Sequence, residues 1–127
     1  MANPSIVNAT AVGKEVVRRY YVDGLAESPT AVITGVANHI MTTVSIIISE
    51  RSNLADSMFN IILHPDGSGT GLYLMTDELI PNKSTFVFNE KLAVTGTDIL
   101  KIEGASASGA CTMDVWATYI DQQFAAP

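Results

Sequence analysis

Cysteine, long apolar runs and basic side chains are all scarce in this sequence of 127 residues. The single cysteine, Cys111, cannot form a disulfide within the chain, and a zinc site built from cysteines is excluded. The strongest apolar run, 46–48, lies between two serines and is far shorter than the roughly 18 residues of a membrane-spanning helix. Lys and Arg number 7 against 13 Asp and Glu, so the net charge is −6. We therefore expect neither a membrane nor a nucleic acid as partner, since phosphate neutralisation needs clustered basic side chains.

Residues that support catalysis or cofactor binding are also few. His39 and His64 are the only histidines, and neither stands in the His-x-His or Glu-x-x-His spacing that directs two ligands to one metal. No Gly-x-Ser-x-Gly elbow is present, and the glycine-rich stretch 67–71 lacks the lysine and the following helix pattern of a nucleotide-binding loop. The sequence predicts a protein that is not an enzyme, with no catalytic residues, cofactor or metal.

Short apolar segments of alternating pattern, by contrast, run through the whole chain. They follow one another from Ser5 to Ile120 with Gly, Asn, Asp, Ser or Pro between them. Alternation has the period of a β-strand, and turn residues at short intervals indicate antiparallel strands, so the pattern predicts a β-sandwich or barrel. Apolar residues make up 47% of the chain and charged residues only 16%. Part of the surface is therefore expected to meet a partner.

Segment 42–49 carries the strongest strand signal. β-Branched residues at nearly every step favour a strand over a helix. The alternation predicts Val44, Ile46 and Ile48 on the inward face and Thr43 among the outward residues. This strand is therefore expected to form part of the core.

Two further segments are read from their apolar pattern. Residues 30–39 are apolar on both faces, which predicts a central strand, and Gly35 within it permits close approach of another backbone. Residues 55–63 match helical as well as strand spacing. We favour a strand there, with its inward face formed by Phe59, Ile61 and Leu63.

The two ends of the chain are expected to lie outside the domain, which spans 14–121. Residues 1–13 are predicted to form an extended arm, whose Ile6 and Val7 are candidate assembly contacts, although a frayed terminus is the alternative. Phe124, in the tail 122–127, is either docked on this domain or offered to another chain. The first residues show no basic leader or apolar export segment, so we expect synthesis in the cytoplasm.

Two groups of polar and aromatic residues are candidate binding positions. Arg18 and Arg19 precede two tyrosines, but on a strand neighbouring residues point to opposite sides, so they are candidate assembly contacts and do not form one stacking platform. In an alternative interpretation, Trp116 and Tyr73 line a shallow carbohydrate site with the loop 64–71. The more ordinary role of Trp116 is to close the rim of a sandwich.

A series of strands and turns recurs in a characteristic order along the chain, namely the Tyr-Tyr-Val strand and turn at 20–22 and the segments 31–38, 42–49, 71–75, 79–84, 91–102 and 113–120. This order resembles the small β-sandwich virion proteins of tailed bacteriophages. The resemblance implies an all-β, single-domain antiparallel β-sandwich, jelly-roll-like, of about eight strands.

For function, the resemblance implies a non-enzymatic structural protein of the virion. Its most specific form is a capsid decoration or cement protein that binds and stabilises the shell. A neck, collar or tail adaptor is the alternative within the virion, and a carbohydrate- or receptor-binding module is the alternative from another class. The expected partners are further copies, as a homotrimer or other homo-oligomer, and the major capsid protein or other virion proteins.

Overall fold

The computed structural model describes residues 15–25, 28–51, 57–106 and 113–124. These residues form nine β-strands, and no α-helix occurs among them. The all-β prediction is confirmed. In chain order the strands are β1 (Glu15–Val22), β2 (Thr30–Thr34), β3 (His39–Glu50), β4 (Ser57–His64), β5 (Leu72–Ile80), β6 (Thr85–Phe88), β7 (Ala93–Thr95), β8 (Ile99–Ser106) and β9 (Met113–Gln123). The last strand thus continues two residues beyond Asp121.

The strands form two antiparallel sheets that pack face to face. Sheet A has the order β1-β9-β3-β6, with β7 also paired to β3, and sheet B has the order β2-β8-β4-β5. Strands β6 and β7 pair with different stretches of β3, so they share one edge position. Each sheet then has four strand positions, and the chain changes sheet at every connection except β4–β5 and β6–β7. This is the strand order of a jelly roll, so the predicted sandwich is confirmed.

The core lies between the inner faces of the two sheets. Each sheet contributes alternate residues of its strands, as the period of two requires. Sheet A supplies among others Ile46, Ile48 and Val115, and sheet B supplies among others Phe59, Ile61 and Leu100. Burying one such side chain contributes about 1.5–3 kcal/mol to folding. Residues 57–64, whose pattern left helix and strand open, form strand β4, and Leu63 packs at the margin of the core as predicted.

A β-bulge in β3 overturns part of the predicted facing. Ile46 and Ile48 are buried as expected, but Thr43 is buried too and Val44 is only half-buried. The reason is a register shift in the pairing with β9, where Thr43 pairs with Tyr119 and Ser45 pairs with the next residue, Thr118. One extra residue at Val44 reverses the alternation on either side of it. The prediction that Val44 faces inward and Thr43 outward was therefore wrong.

The predicted central strand at 30–39 is also corrected. Strand β2 ends at Thr34 and lies at the edge of sheet B, beside β8. Its apolar character has a local cause, because a register shift next to Val32 buries both Val32 and Ile33. The expectation for Gly35 is confirmed: its N–H donates to the carbonyl of Asp98 at 2.8 Å, and a Cβ there would collide with neighbouring backbone carbonyls.

Candidate interaction surfaces

Four large apolar side chains form a continuous exposed row across the outer face of sheet A. Tyr21 on β1 lies opposite Trp116 on β9, Trp116 lies opposite Ile47 on β3, and Ile47 lies opposite Val87 on β6. Their exposed fractions are 57% for Tyr21, 43% for Trp116, 38% for Ile47 and 50% for Val87. Single exposed apolar residues are common, but this set, called here the sheet A row, crosses all four strand positions.

Arg19 and the two aromatic rings of the row form a stacked cluster. The ring centroids of Tyr21 and Trp116 are 6.0 Å apart, with 16° between the ring planes. The guanidinium carbon of Arg19 lies 5.2 Å from the Trp116 centroid and 5.7 Å from the Tyr21 centroid. Cation–π contacts of this kind contribute about 0.5–1 kcal/mol at exposed sites. The cluster holds the aromatic half of the sheet A row in one arrangement.

A mostly apolar hollow with two carboxylates adjoins the sheet A row on one side. It has a volume of about 370 Å³ and is lined by Tyr21, Val22, Asp23, Ile47, Ser49, Asp114, Val115 and Trp116. Arg51 lies against both carboxylates, with Nη2 at 3.2 Å from Asp23 and Nε at 3.0 Å from Asp114. One guanidinium thus faces two carboxylates, and this side of the row keeps an excess of negative charge.

Arg18 points away from Arg19, as the alternation predicts, and joins a polar cluster at one end of the sandwich. Its Nε lies 2.7 Å from Asp121, whose side chain is only 5% exposed, and His39 Nδ1 lies 2.6 Å from the second carboxylate oxygen. Burial alone would raise the pKa of Asp121, but the hydrogen bonds with His39 and Arg18 hold that pKa below its ordinary value. The cluster ties β1, β3 and β9 together at this end.

A second exposed apolar surface lies on the opposite sheet. It consists of four exposed side chains of the edge strand β5, called here the β5 patch, namely Leu72, Tyr73, Leu74 and Leu79. The partner of Tyr73 in the sheet is Ile62, which alternates with the core residues Ile61 and Leu63, so Tyr73 lies on the outer face. Its neighbour Leu72 pairs with Leu63 and lies on the core side of the same edge. Tyr73 therefore faces away from the sheet A row, and the β5 patch as a whole follows the edge of sheet B.

The residues proposed from the sequence fall into different places. Trp116 lies on the outer face of sheet A and Tyr73 on that of sheet B, so the two cannot line one shallow site, and that interpretation is corrected. Phe124 keeps an exposed side chain, while its N–H donates to the carbonyl of Asn38 at 3.0 Å. Ile6 and Val7 lie outside the described residues.

Sequence reasoning missed Tyr21, Ile47 and Val87, because only the strand register brings them beside Trp116.

Within the described residues, no three His, Cys, Asp or Glu side chains are grouped so that they could hold a metal ion. The same residues contain no helix long and apolar enough to cross a membrane. The surfaces that stand out are therefore the two apolar ones.

Comparison with known proteins defines the fold. No protein-family model and no curated protein sequence matches the chain. A chain of the acid-stable capsid structure of Helicobacter pylori bacteriophage KHP30 matches with a TM-score of 0.55 and 6% identity over 91% of each chain. A chain of Bacillus endospore appendages, a family of disulfide-linked pili, matches with a TM-score of 0.52 and 14% identity, covering 91% of this chain and 94% of that one. At these identities the likeness is one of fold, and the chain belongs structurally with small jelly-roll domains.

Proposed function

We propose that this chain is a non-enzymatic structural subunit of a bacteriophage virion, and specifically a capsid decoration or cement protein. The observation that carries the proposal is the presence of two separate exposed apolar surfaces on one small sandwich, one across the outer face of sheet A and one along the edge strand β5 of sheet B. A cement subunit must hold at least two neighbours at once, and two separate surfaces suit that task.

Several properties of the chain support a role in assembly. Its charged content of 16% is low, and eight of the twelve exposed large apolar side chains of the described residues belong to the sheet A row or the β5 patch. The jelly-roll fold is shared with a chain of a phage capsid. Residues 1–13 add a possible clasp, since an extended arm can pair with the edge strand of a neighbouring sheet.

A filament subunit is the competing structural role, because the second fold neighbour comes from disulfide-linked pili. A polymer linked by disulfides needs at least two cysteines in each subunit, one for each neighbour. Cys111 is the single cysteine of this sequence and can join subunits only in pairs. The chemistry of the chain therefore favours a non-covalent assembly such as a virion shell.

The proposal is tested by binding to shells of the phage particle that carries this chain, prepared without it. We expect saturable binding at a fixed number of copies per shell, measured by co-sedimentation and quantitative gel analysis. The double variant Tyr73→Lys/Leu79→Lys should bind at least tenfold more weakly, because lysines at these positions resist desolvation on the shell. Thr34→Lys adds charge to an exposed position of β2, at the other edge of sheet B, and should bind as the wild type does.

One result would overturn the decoration role, and another would overturn the assignment of the shell contact. Absence of wild-type binding to shells, with binding to isolated necks or tails, would replace it by the adaptor role. Equal binding by the Tyr73→Lys/Leu79→Lys variant would remove the β5 patch as the shell contact.

A carbohydrate-binding module is the second candidate, and the hollow beside Trp116 is the observation that favours it. Its carboxylates and aromatic side chains are groups that bind sugar hydroxyls and sugar faces. A glycan array separates the two functions. Strong binding of a defined glycan that is lost in Trp116→Ala would favour the module, and no binding would favour the structural role.

A further inference from the structure

We propose that the sheet A row is covered in solution by the same face of a second copy of this chain, with a two-fold axis that runs along the row. The inference deepens the proposed structural function by naming the partner of one surface. It does not depend on a shell, so it can be tested apart from that function.

The outer face of sheet A has different charges on the two sides of the row. On one side of the row, the outward side chains two residues from the row are Arg19 on β1, Thr118 on β9 and Ser45 on β3. On the other side of the row, the corresponding side chains are Asp23 after β1, Asp114 on β9 and Ser49 on β3. The first side carries one positive charge, and the second carries two carboxylates with the guanidinium of Arg51.

A two-fold axis along the row makes this face complementary to itself. Such an axis lays each strand over the same strand of the second copy and reverses its direction. Tyr21, Trp116 and Ile47 then pack against the same residues of the partner. Arg19 comes over Asp23 of the partner subunit, and Thr118 comes over Asp114 of the partner subunit, where its hydroxyl can donate. The two polar contacts each occur twice, whereas each residue of the row meets its own copy once.

The side chains of the row suit a flat protein face better than a small ligand. The near-parallel rings of Tyr21 and Trp116 already stack on each other, with Arg19 against them. Their faces are therefore partly used, although Tyr21 and Trp116 remain 57% and 43% exposed beside Ile47 and Val87. A second sheet packed across the row would cover these aromatic and aliphatic side chains together.

The size of the face sets the expected strength of the dimer. Four strand positions about 4.8 Å apart and about seven residues of 3.3 Å give a face of roughly 19 by 23 Å. Two copies then contribute about 900 Å², which is below the roughly 1,200 Å² of specific, stable interfaces and in the range of weak, transient ones. We therefore expect a dimer that dissociates on dilution in the micromolar range.

A charge-exchange cycle between Arg19 and Asp23 tests the arrangement. Within one chain the two residues are four positions apart along a strand direction, about 13 Å, where their interaction is largely screened by salt. Coupling between them must therefore come from the partner. Sedimentation velocity over a dilution series should show dimers for the wild type and about tenfold weaker association for Arg19→Asp and for Asp23→Arg. The double variant Arg19→Asp/Asp23→Arg should return to within about twofold of the wild type.

Three controls isolate the contact between Arg19 and Asp23 of the partner subunit. Asp23→Arg also breaks the ion pair with Arg51, but that loss is common to the single and double variants and cannot produce recovery. Thr34→Asp places a charge on the other sheet, outside both apolar surfaces, and should leave dimerisation unchanged. Thermal melting of each variant shows that all are folded.

The outcomes distinguish this inference from the proposed function. A wild type that stays monomeric at all concentrations, or forms trimers insensitive to both charge reversals, would overturn the dimer even if the protein binds shells. A double variant as weak as the single variants would overturn the two-fold arrangement. A charge-sensitive dimer that binds no shell would leave this inference standing and remove the decoration role.

Discussion

Replacing Thr43 by valine tests the bulge in β3, the irregularity that sets the facing of the longest strand. Thr43 is completely buried, with 0% of its surface exposed. Its hydroxyl donates to the carbonyl of Glu90 at 2.8 Å and accepts the N–H of Leu92 at 2.8 Å. Valine has nearly the same shape but lacks the hydroxyl, so the change in stability reports these two hydrogen bonds.

The structure gives the expected size of the effect. Each hydrogen bond contributes about 1 kcal/mol net, and the Leu92 N–H loses its acceptor at a partly buried position, so Thr43→Val should lower the free energy of unfolding by about 2–3 kcal/mol. Thr43→Ser keeps the hydroxyl and removes one methyl group, which should cost about 1 kcal/mol. The serine variant should therefore be more stable than the valine variant.

Equilibrium unfolding in urea, followed by Trp116 fluorescence, measures both variants. With a urea dependence of about 1–3 kcal/mol per M, the midpoint for Thr43→Val should fall by about 1–2 M. A valine variant as stable as the serine variant would refute the reasoning. In that case the hydroxyl would not bridge β3 to the chain at 90–92 and would not stabilise the bulge.

Three further predictions concern the core, the polar cluster and the arm. Ile46→Asp should abolish the cooperative thermal transition seen by circular dichroism, because it buries an unpaired carboxylate. Val44→Asp changes a half-buried residue of the bulge, and this variant should still fold. Equal behaviour of the two variants would contradict the facing of β3. Since the pKa of Asp121 is lowered in the folded protein, its contribution to stability is present above the unfolded value of about 3.9 and is lost as the pH falls through the folded value. Asp121→Asn should therefore lower the free energy of unfolding at pH 7 and reduce the further loss of stability at acidic pH. If the variant loses stability in acid as steeply as the wild type, Asp121 is not a source of the acid sensitivity. Removal of residues 1–11 should leave the melting temperature unchanged and weaken binding to shells, and full binding by the truncated protein would exclude the clasp.

The strands could be predicted from the sequence because their alternation is local. Ile46 and Ile48, or Phe59 and Ile61, are two residues apart, and this spacing alone places each pair on one face. For the same reason the strand prediction for the ambiguous segment 55–63 is confirmed over its described part, residues 57–63, while residues 55 and 56 lie outside the described residues. Jelly-roll topology also followed from the order of strands and turns through its resemblance to known virion proteins.

The bulges could not be predicted, because they depend on pairing between distant strands. Val44 is as apolar as its neighbours, so the sequence does not show that it is the extra residue opposite β9. The same holds for Val32, where a register shift buries two adjacent residues and gives an edge strand the composition of a central one. Facing within a strand is therefore predictable only as far as the next bulge.

The sheet A row was hidden from sequence reasoning for a related reason. Tyr21 and Trp116 belong to strands at opposite ends of the chain, and Ile47 lies far from both in the sequence. Only the register of β1, β9 and β3 aligns them. A local pattern could show that each residue faces outward from its own strand, but it could not show that the outward residues meet.

Hydroxyl-radical footprinting of the protein free and bound to shells tests whether both outer faces are used in assembly. Tyr73 and Trp116 are good reporters, since they are 55% and 43% exposed in the single chain and lie on opposite sheets. If both faces are covered, oxidation of both side chains should fall strongly on the shell. Oxidation of both residues at the rate of the free, dilute protein would contradict the claim that this sandwich works through its two apolar faces.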